Sequence, residues 1–270
     1  MSVKRVIYYT DEQNDDFAQT SIRKRRIGKK YPYLHRSGLW NSAAYLLYYV
    51  IAIPIVYFVA RFYLGLRFKN RRILRPLRKT GFFLYGNHTQ YLDAFVPALS
   101  VFPERAYIIA NADAVSIPFL HNVVQMLGAI PIPTEASGLP GFLRSISLRI
   151  AQGSCIAVYP EAHIWPFYTG IRSFPATSFR YPVKENVPVV AMVTTYRKRR
   201  GVFRFIKRPA MTVTFSEPFY PDSSLPPKQA QAKLRDSVYA FMKETASAPG
   251  NEVYIDYRPR SEKEKETDCL

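Results

Sequence analysis

Little in this chain could staple it together or hold a metal ion. Only two cysteines occur in 270 residues, Cys155 and Cys269, one in a predicted strand and one in a charged tail. Two such thiols make no disulfide framework, and no zinc-type Cys/His spacing is present, which fits a reducing cytosol. Acids are scarce as well: 20 Asp and Glu stand against 38 Lys and Arg, a formal charge of +18. That balance implies an acidic partner, whether nucleic acid, anionic lipid or an acidic carrier protein. A G-x-S-x-G turn is missing, so no Ser or Cys stands in a recognisable nucleophile setting. No secretory leader is expected, because the first apolar run begins only at Ser37 with no small-residue cleavage pattern behind it. There is no internal repeat.

What the chain does have is an uncharged stretch from Ser37 to Ala60. As a helix it would reach roughly 36 Å, enough to cross a bilayer. Pro54 interrupts it and is expected to kink or divide it. Both flanks are basic: RKRRIGKK (Arg23 to Lys30) precedes it, and Arg61, Arg67, Lys69, Arg71, Arg72, Arg75, Arg78 and Lys79 follow. The positive-inside rule then keeps both ends on the cytoplasmic side. A helical hairpin or helix pair dipping into one leaflet satisfies these features better than a single crossing or a buried core helix. The abundant tyrosines suit a membrane interface and single-stranded nucleic acid equally.

From Thr80 onward strand-like and helix-like patches alternate as in βαβ units. Strands are predicted at Phe82–Tyr85, Ala106–Ala110, Ala129–Ile132, Cys155–Tyr159, Val187–Thr195, Phe203–Ile206 and Met211–Phe215. Helices are predicted at Tyr91–Val101, Ile117–Leu127, Pro140–Gln152 and Pro227–Thr245. A hairpin around Arg208–Pro209 makes the sheet mixed. The expected fold class is therefore α/β, a mixed, mostly parallel sheet flanked by helices. Its parts are an irregular charged arm (1–30), a membrane-associating helical segment (31–79), the α/β domain (80–250) and a charged, disordered tail (251–270).

The stretch GFFLYGNHTQYLDAF holds the candidate chemistry. An apolar run ends at Tyr85, and His88 and Asp93 then stand five positions apart. If Phe82–Tyr85 is a buried strand, His88 is displayed at its carboxyl end, where open α/β sheets place reactive groups. Asp93, a helical turn on, could hold one ring nitrogen as N–H and leave the other free to accept a proton. The plainer alternative is a His at a strand end and an Asp at a helix N-terminus, each satisfied by backbone. Asn87 is read as shaping the turn before His88, and His35 and His121 as structural or interfacial.

Further blocks follow: LGAIPIPT (Leu127 to Thr134), CIAVYPEAHIWP (Cys155 to Pro166) and VPVVAMVTTY (Val187 to Tyr196). In order and spacing the four blocks resemble those of the glycerolipid acyltransferases, the 1-acyl-sn-glycerol-3-phosphate acyltransferase-like family. Asn87, His88 and Asp93 match NH-x4-D; Gly128, Ile130 and Ile132 match G-x-I-x-I-x-R; Tyr159, Pro160 and Glu161 match F-P-E-G; Val187 to Val190 match V-P-V-V. The resemblance covers about Thr80 to Pro218. It departs from the pattern at Thr134, in place of Arg, and at Ala162, His163 and Ile164, in place of Gly-Thr-Arg. The family associates those arginines with the acceptor's phosphate.

The resemblance implies acyl transfer from acyl-CoA or acyl-carrier-protein, as cosubstrate, to a lysophospholipid, by default 1-acylglycerol 3-phosphate. No cofactor and no metal is expected. His88 would be the general base and Asp93 its partner, at the cytoplasmic face of the cell membrane, with anionic lipid as a further partner. Glu161 is expected exposed at the same sheet edge as a substrate-binding residue, and Thr134 is a second candidate. Arg172, in a Pro- and aromatic-rich loop, is the first choice to grip a phosphate, with Lys184 behind it and ordinary surface cations as the alternative for both. The departures leave open a different, non-phosphate acceptor or a non-catalytic lipid-binding relative. A nucleic-acid-binding reading leaves the uncharged run and the four blocks unexplained.

Overall fold

The computed structural model describes residues 3–17 and 25–260. Part of the basic RKRRIGKK flank, Cys269 and the tail from residue 261 on lie outside the described residues. Strand β1 (Arg5–Tyr9) is followed by one continuous helix, Gly38–Tyr63. It comprises α1 (Gly38–Tyr45), a π-helical stretch (Leu46–Ala52), α2 (Ile53–Phe58) and a second π stretch (Val59–Tyr63). Then come β2 (Arg67–Lys69), β3 (Phe82–Gly86), α3 (Val96–Val101), β4 (Ala106–Ala110), α4 (His121–Met126), β5 (Ala129–Pro131) and α5 (Leu139–Ala151). The rest is β6 (Cys155–Val158), α6 (Arg180–Glu185), β7 (Val189–Arg197), β8 (Ala210–Phe215), α7 (Pro227–Ser247) and β9 (Ile255–Pro259).

The main sheet has the order β2-β8-β7-β3-β6-β4-β5, parallel except where β7 meets β8. It is the mixed, mostly parallel sheet expected. β3 is central, with β6 and β7 on its two sides, and every residue of it is buried. Its continuous apolar run reflects helical cover on both faces of the sheet. With the side-chain period of two, Phe83 and Tyr85 join the core under α5 and α7, whereas Phe82 and Leu84 join the core shared with α3 and the long helix.

The long helix lies along the domain. Ala44, Tyr48, Ala60 and Leu64 are buried, and the Tyr48 hydroxyl accepts the Ala106 backbone N–H at 3.1 Å where β4 begins. Its opposite face, including Leu39, Val50, Ile55 and Phe58, is exposed. The break expected at Pro54 does not occur. Pro54 sits in the first turn of α2, directly after the π stretch, so its missing N–H falls where the hydrogen-bond register changes and the helix carries on.

Other boundaries shift for local reasons. The arm expected to be irregular contains β1, which pairs in parallel with β9, inside the stretch expected to be a disordered tail. Arg67–Lys69, assigned by sequence to the membrane segment, is a sheet strand paired with β8. α4 begins only at His121, because Pro118 precedes a left-handed Phe119 (φ 62°). The predicted strand Phe203–Ile206 is instead a 3-10 turn, Gly201–Phe205: β8, the strand it leads into, already pairs with β7 on one side and β2 on the other, so no place beside β8 is left for it. The hairpin at Arg208–Pro209 is thus the longer β7–β8 connection.

Replacing Tyr48 by Phe keeps the ring and strips the acceptor from a buried N–H, which typically costs about 1–3 kcal/mol. Tyr48→Phe should accordingly lower the urea midpoint of the micelle-held protein; an unchanged midpoint would show that the helix is not seated through this bond.

Candidate active site

Gly86 closes β3 where no side chain fits: a Cβ there would lie 2.8 Å from the Tyr159 ring and 2.9 Å from Met192 Cε. Asn87 then extends the ladder with its side chain. Its Oδ1 accepts the Thr194 N–H at 2.8 Å and its Nδ2 donates to the Thr194 carbonyl at 3.0 Å. Locked to β7 in this way, the chain delivers His88 at the carboxyl end of the central strand.

His88 Nδ1 lies 3.2 Å from Asp93 Oδ2, with the His88 side chain 17% exposed and Asp93 buried. The same Oδ2 accepts the backbone N–H groups of Thr89 (2.7 Å) and Gln90 (2.8 Å) and caps the 3-10 turn Tyr91–Phe95. One carboxylate oxygen thus serves both as cap of the turn and as partner of the imidazole. With Nδ1–H directed at Asp93, Nε2 is the proton-accepting nitrogen. The Tyr159 ring stacks on the imidazole (centroids 4.5 Å, 23°), and its hydroxyl donates to the Asp93 carbonyl at 2.5 Å. Burial, with the Asp93 charge adding to it, pushes the Tyr159 phenol well up, so it stays protonated. Beneath the following residues, Tyr196 donates to Thr89 Oγ1 (2.8 Å) and accepts from Gln90 Nε2 (3.0 Å).

Glu161 differs from expectation. Its side chain is fully enclosed rather than exposed at the sheet edge. Oε2 accepts the His88 N–H at 3.4 Å and Arg172 Nη2 at 3.2 Å, and Oε1 accepts the Arg172 N–H at 3.2 Å. Burial pushes the Glu161 carboxyl up, and Arg172 opposes that shift. Arg172 is likewise not a cation over an open mouth. Its side chain is 1% exposed, lies 4.8 Å from the Trp165 ring, and donates to the Glu12 and His163 carbonyls. The Glu161 carboxylate, eleven positions earlier, draws it inward, so it is already spent within the protein. Thr134 is also engaged elsewhere: its hydroxyl accepts the Ile27 N–H at 2.8 Å and its own N–H donates to the Ile27 carbonyl at 3.1 Å. Lys184 is exposed on α6.

The loop after β6 is laid across the site by backbone bonds. The Trp165 N–H donates to the His88 carbonyl (3.1 Å) and the Phe167 N–H to the Thr89 carbonyl (2.9 Å). Ala162 has φ 64°, a left-handed conformation that favours glycine, at the position where the resembled pattern has Gly. His163 faces Asp16 of the N-terminal arm at 3.5 Å. The roles of Tyr159, Tyr196 and the arm went unread in the sequence. Only Tyr159 carried a signal, as the aromatic before Pro160-Glu161.

A cavity of about 170 Å³ begins beside Gln90, Tyr91 and Leu92, lined also by Tyr63, Leu64, Phe167, Met211 and the two arginines Arg199 and Arg208. A second, apolar cavity of about 100 Å³ shares Leu64 and Leu92 with it and runs along Ile55 and Val59 of the long helix.

Residues 66–195 match the family model described as Acyltransferase. Together with the fold, this match supports a glycerolipid acyltransferase family for the matched stretch. The fold is similar to the crystal structure of the 1-acyl-sn-glycerophosphate (LPA) acyltransferase PlsC from Thermotoga maritima, with a TM-score of 0.50 and 16% identity over 78% of this chain and 95% of that one. No curated protein sequence gives a significant match.

Removing the Arg172 guanidinium would leave the Glu161 carboxylate buried without its counter-charge, a change worth about 3–5 kcal/mol. In Arg172→Met the folded-state pKa of Glu161 rises further above its unfolded value. Folding then binds a proton, and stability falls as pH rises. The deficit relative to the parent protein should grow as pH rises above the ordinary carboxylate range; a pH-independent deficit in chemical denaturation would contradict the ion-pair account.

Proposed function

We propose that this acyltransferase moves a fatty acyl group from the thioester of acyl-CoA or acyl-carrier-protein to the free hydroxyl of 1-acyl-sn-glycerol 3-phosphate, giving phosphatidic acid. The observation that carries the reading is the Asp93-oriented His88 imidazole at the carboxyl end of β3. Nε2 of His88 takes the proton from the acceptor hydroxyl as that oxygen attacks the thioester carbonyl carbon. The C–S bond then breaks, and the leaving thiolate recovers the proton from the imidazolium. Asp93 holds the tautomer and stabilises the imidazolium as it forms, as the Asp of a hydrolytic triad does.

Two cavities that share Leu64 and Leu92, the first bordered also by Gln90, Arg199 and Arg208 and the second wholly apolar, give room for an acyl chain beside the long helix. The same helix supports attachment to a single leaflet at the cytoplasmic face of the cell membrane. One of its faces is committed to the domain and the other is exposed and apolar, the arrangement of an interfacial helix.

A second reading is favoured by one observation. Thr134 and Arg172 are both engaged within the protein, and Ile164 stands where the resembled pattern has Arg. An acceptor without a phosphate, such as a neutral monoacyl lipid, would need none of these three, and only Arg199 and Arg208 would then border the cavity beside Tyr91 as cations.

His88→Ala should lower kcat by at least about 10²-fold in a protein that still folds, and Asp93→Asn by a similar or smaller factor. Normal turnover of His88→Ala would overturn the mechanism. Offering labelled acyl-CoA with lysophosphatidic acid or with neutral monoacylglycerol decides the acceptor, since equal or better acylation of the neutral lipid would replace the phosphatidic-acid assignment.

A further inference from the structure

Between β7 and β8 the chain leaves the sheet through KRRGVFRFIKRP, residues 198–209, which carry six Lys and Arg and no acid. At its tip Val202 is 80% and Phe205 76% exposed. Apolar side chains that open to water, with arginine between them, contribute nothing to the core.

The base of this loop is fixed to the end of the long helix. Arg199 Nε donates to the Arg208 carbonyl at 2.7 Å, and its guanidinium also donates to the Tyr63 carbonyl. The Arg208 guanidinium lies 5.8 Å from the centre of the Tyr63 ring, and Phe203 packs against Phe62 with centroids 6.3 Å apart. Phe58 and Phe62, on that end of the helix, are 60% and 46% exposed. The loop tip therefore continues the helix's exposed apolar face and is held there. Around it, Arg200, Arg204 and Lys207 have no carboxylate partner among the described residues.

We propose that the Gly201–Phe205 turn is a second membrane anchor. It seats Val202 and Phe205 among the lipids of an anionic bilayer while Arg200, Arg204 and Lys207 meet headgroup phosphates. The inference rests on the membrane-surface reading above and adds a separate contact to it. Two features select anionic lipid as the partner: charge of one sign surrounding apolar tips, and continuity with the helix face. Basic residues beside a membrane respond to its negative surface potential and lose that attraction within a Debye length.

The test uses the full chain with Cys269→Ser and an environment-sensitive fluorophore on Phe205→Cys. Phe58→Cys serves as the helix reference and Lys228→Cys, on α7 across the sheet, as the water reference. Emission from position 205 should shift to the blue and brighten at least about twofold on phosphatidylcholine vesicles containing phosphatidylglycerol, and much less on phosphatidylcholine alone. Arg200→Gln, Arg204→Gln and Lys207→Gln together should erase that difference, as should high salt. If position 58 responds and position 205 stays water-like, the loop anchor is wrong and the membrane reading stands. If neither responds, the membrane reading fails and takes the anchor with it. A response at 205 to acyl-carrier-protein but not to vesicles would overturn the anchor in favour of donor docking.

Discussion

A carboxylate removed from water loses several kcal/mol of hydration, which must be returned by groups held in the right places. Glu161 is such a carboxylate, and the groups that return it are the His88 N–H, the Arg172 N–H and the Arg172 guanidinium. The ion pair thereby ties the segment after β3 to the loop after β6 at the point where the imidazole is displayed. Trp165 and Phe167 reinforce the tie through the His88 and Thr89 carbonyls. His88 is thus presented by backbone that is bonded on both sides, by Asn87 to β7 and by Glu161 to the β6 loop. An imidazole held in this way has little freedom to reorient.

Where sequence reasoning succeeded and failed follows from which constraints are local. β3 was legible because a strand covered on both faces must be apolar throughout, and Phe82 to Tyr85 are. The His88–Asp93 contact was legible because both residues lie within one turn of the chain. Phe203–Ile206 has a strand's composition, yet whether it can pair depends on vacant sheet edges, which no window of residues reports. The fate of Arg172 was hidden for a related reason. Its enclosure depends on Glu161 and on the Glu12 carbonyl, 160 positions away. Thr134 likewise answers to Ile27, at a separation of 107.

The long helix shows how one element meets two demands. Tyr48, Ala60 and Leu64 face a protein core, while Val50, Ile55 and Phe58 face outward. Its π-helical stretches accommodate Pro54 without ending the helix, so the apolar outer face is uninterrupted from Leu39 to Phe62. Since the cavity beside Tyr91 and Leu92 is walled by Tyr63 and Leu64, the exposed apolar face and the segment after His88 adjoin one structural element.

The pairing of β1 with β9, Arg5 opposite Ile255, has a consequence for how the molecule is made. On the ribosome β1 emerges first and must wait until β9 follows before it has a strand to join. Around that late-formed ribbon, the Glu12 carbonyl meets Arg172, the Asp15 carbonyl meets the Trp165 indole, and the Tyr257 hydroxyl meets the Pro166 carbonyl. The sheet that carries His88 can assemble before β9 is made, but the outer wrapping of the Glu161 loop closes only once β9 has followed. A nascent chain that has not yet reached β9 would therefore hold a formed sheet and an unsealed Glu161 loop.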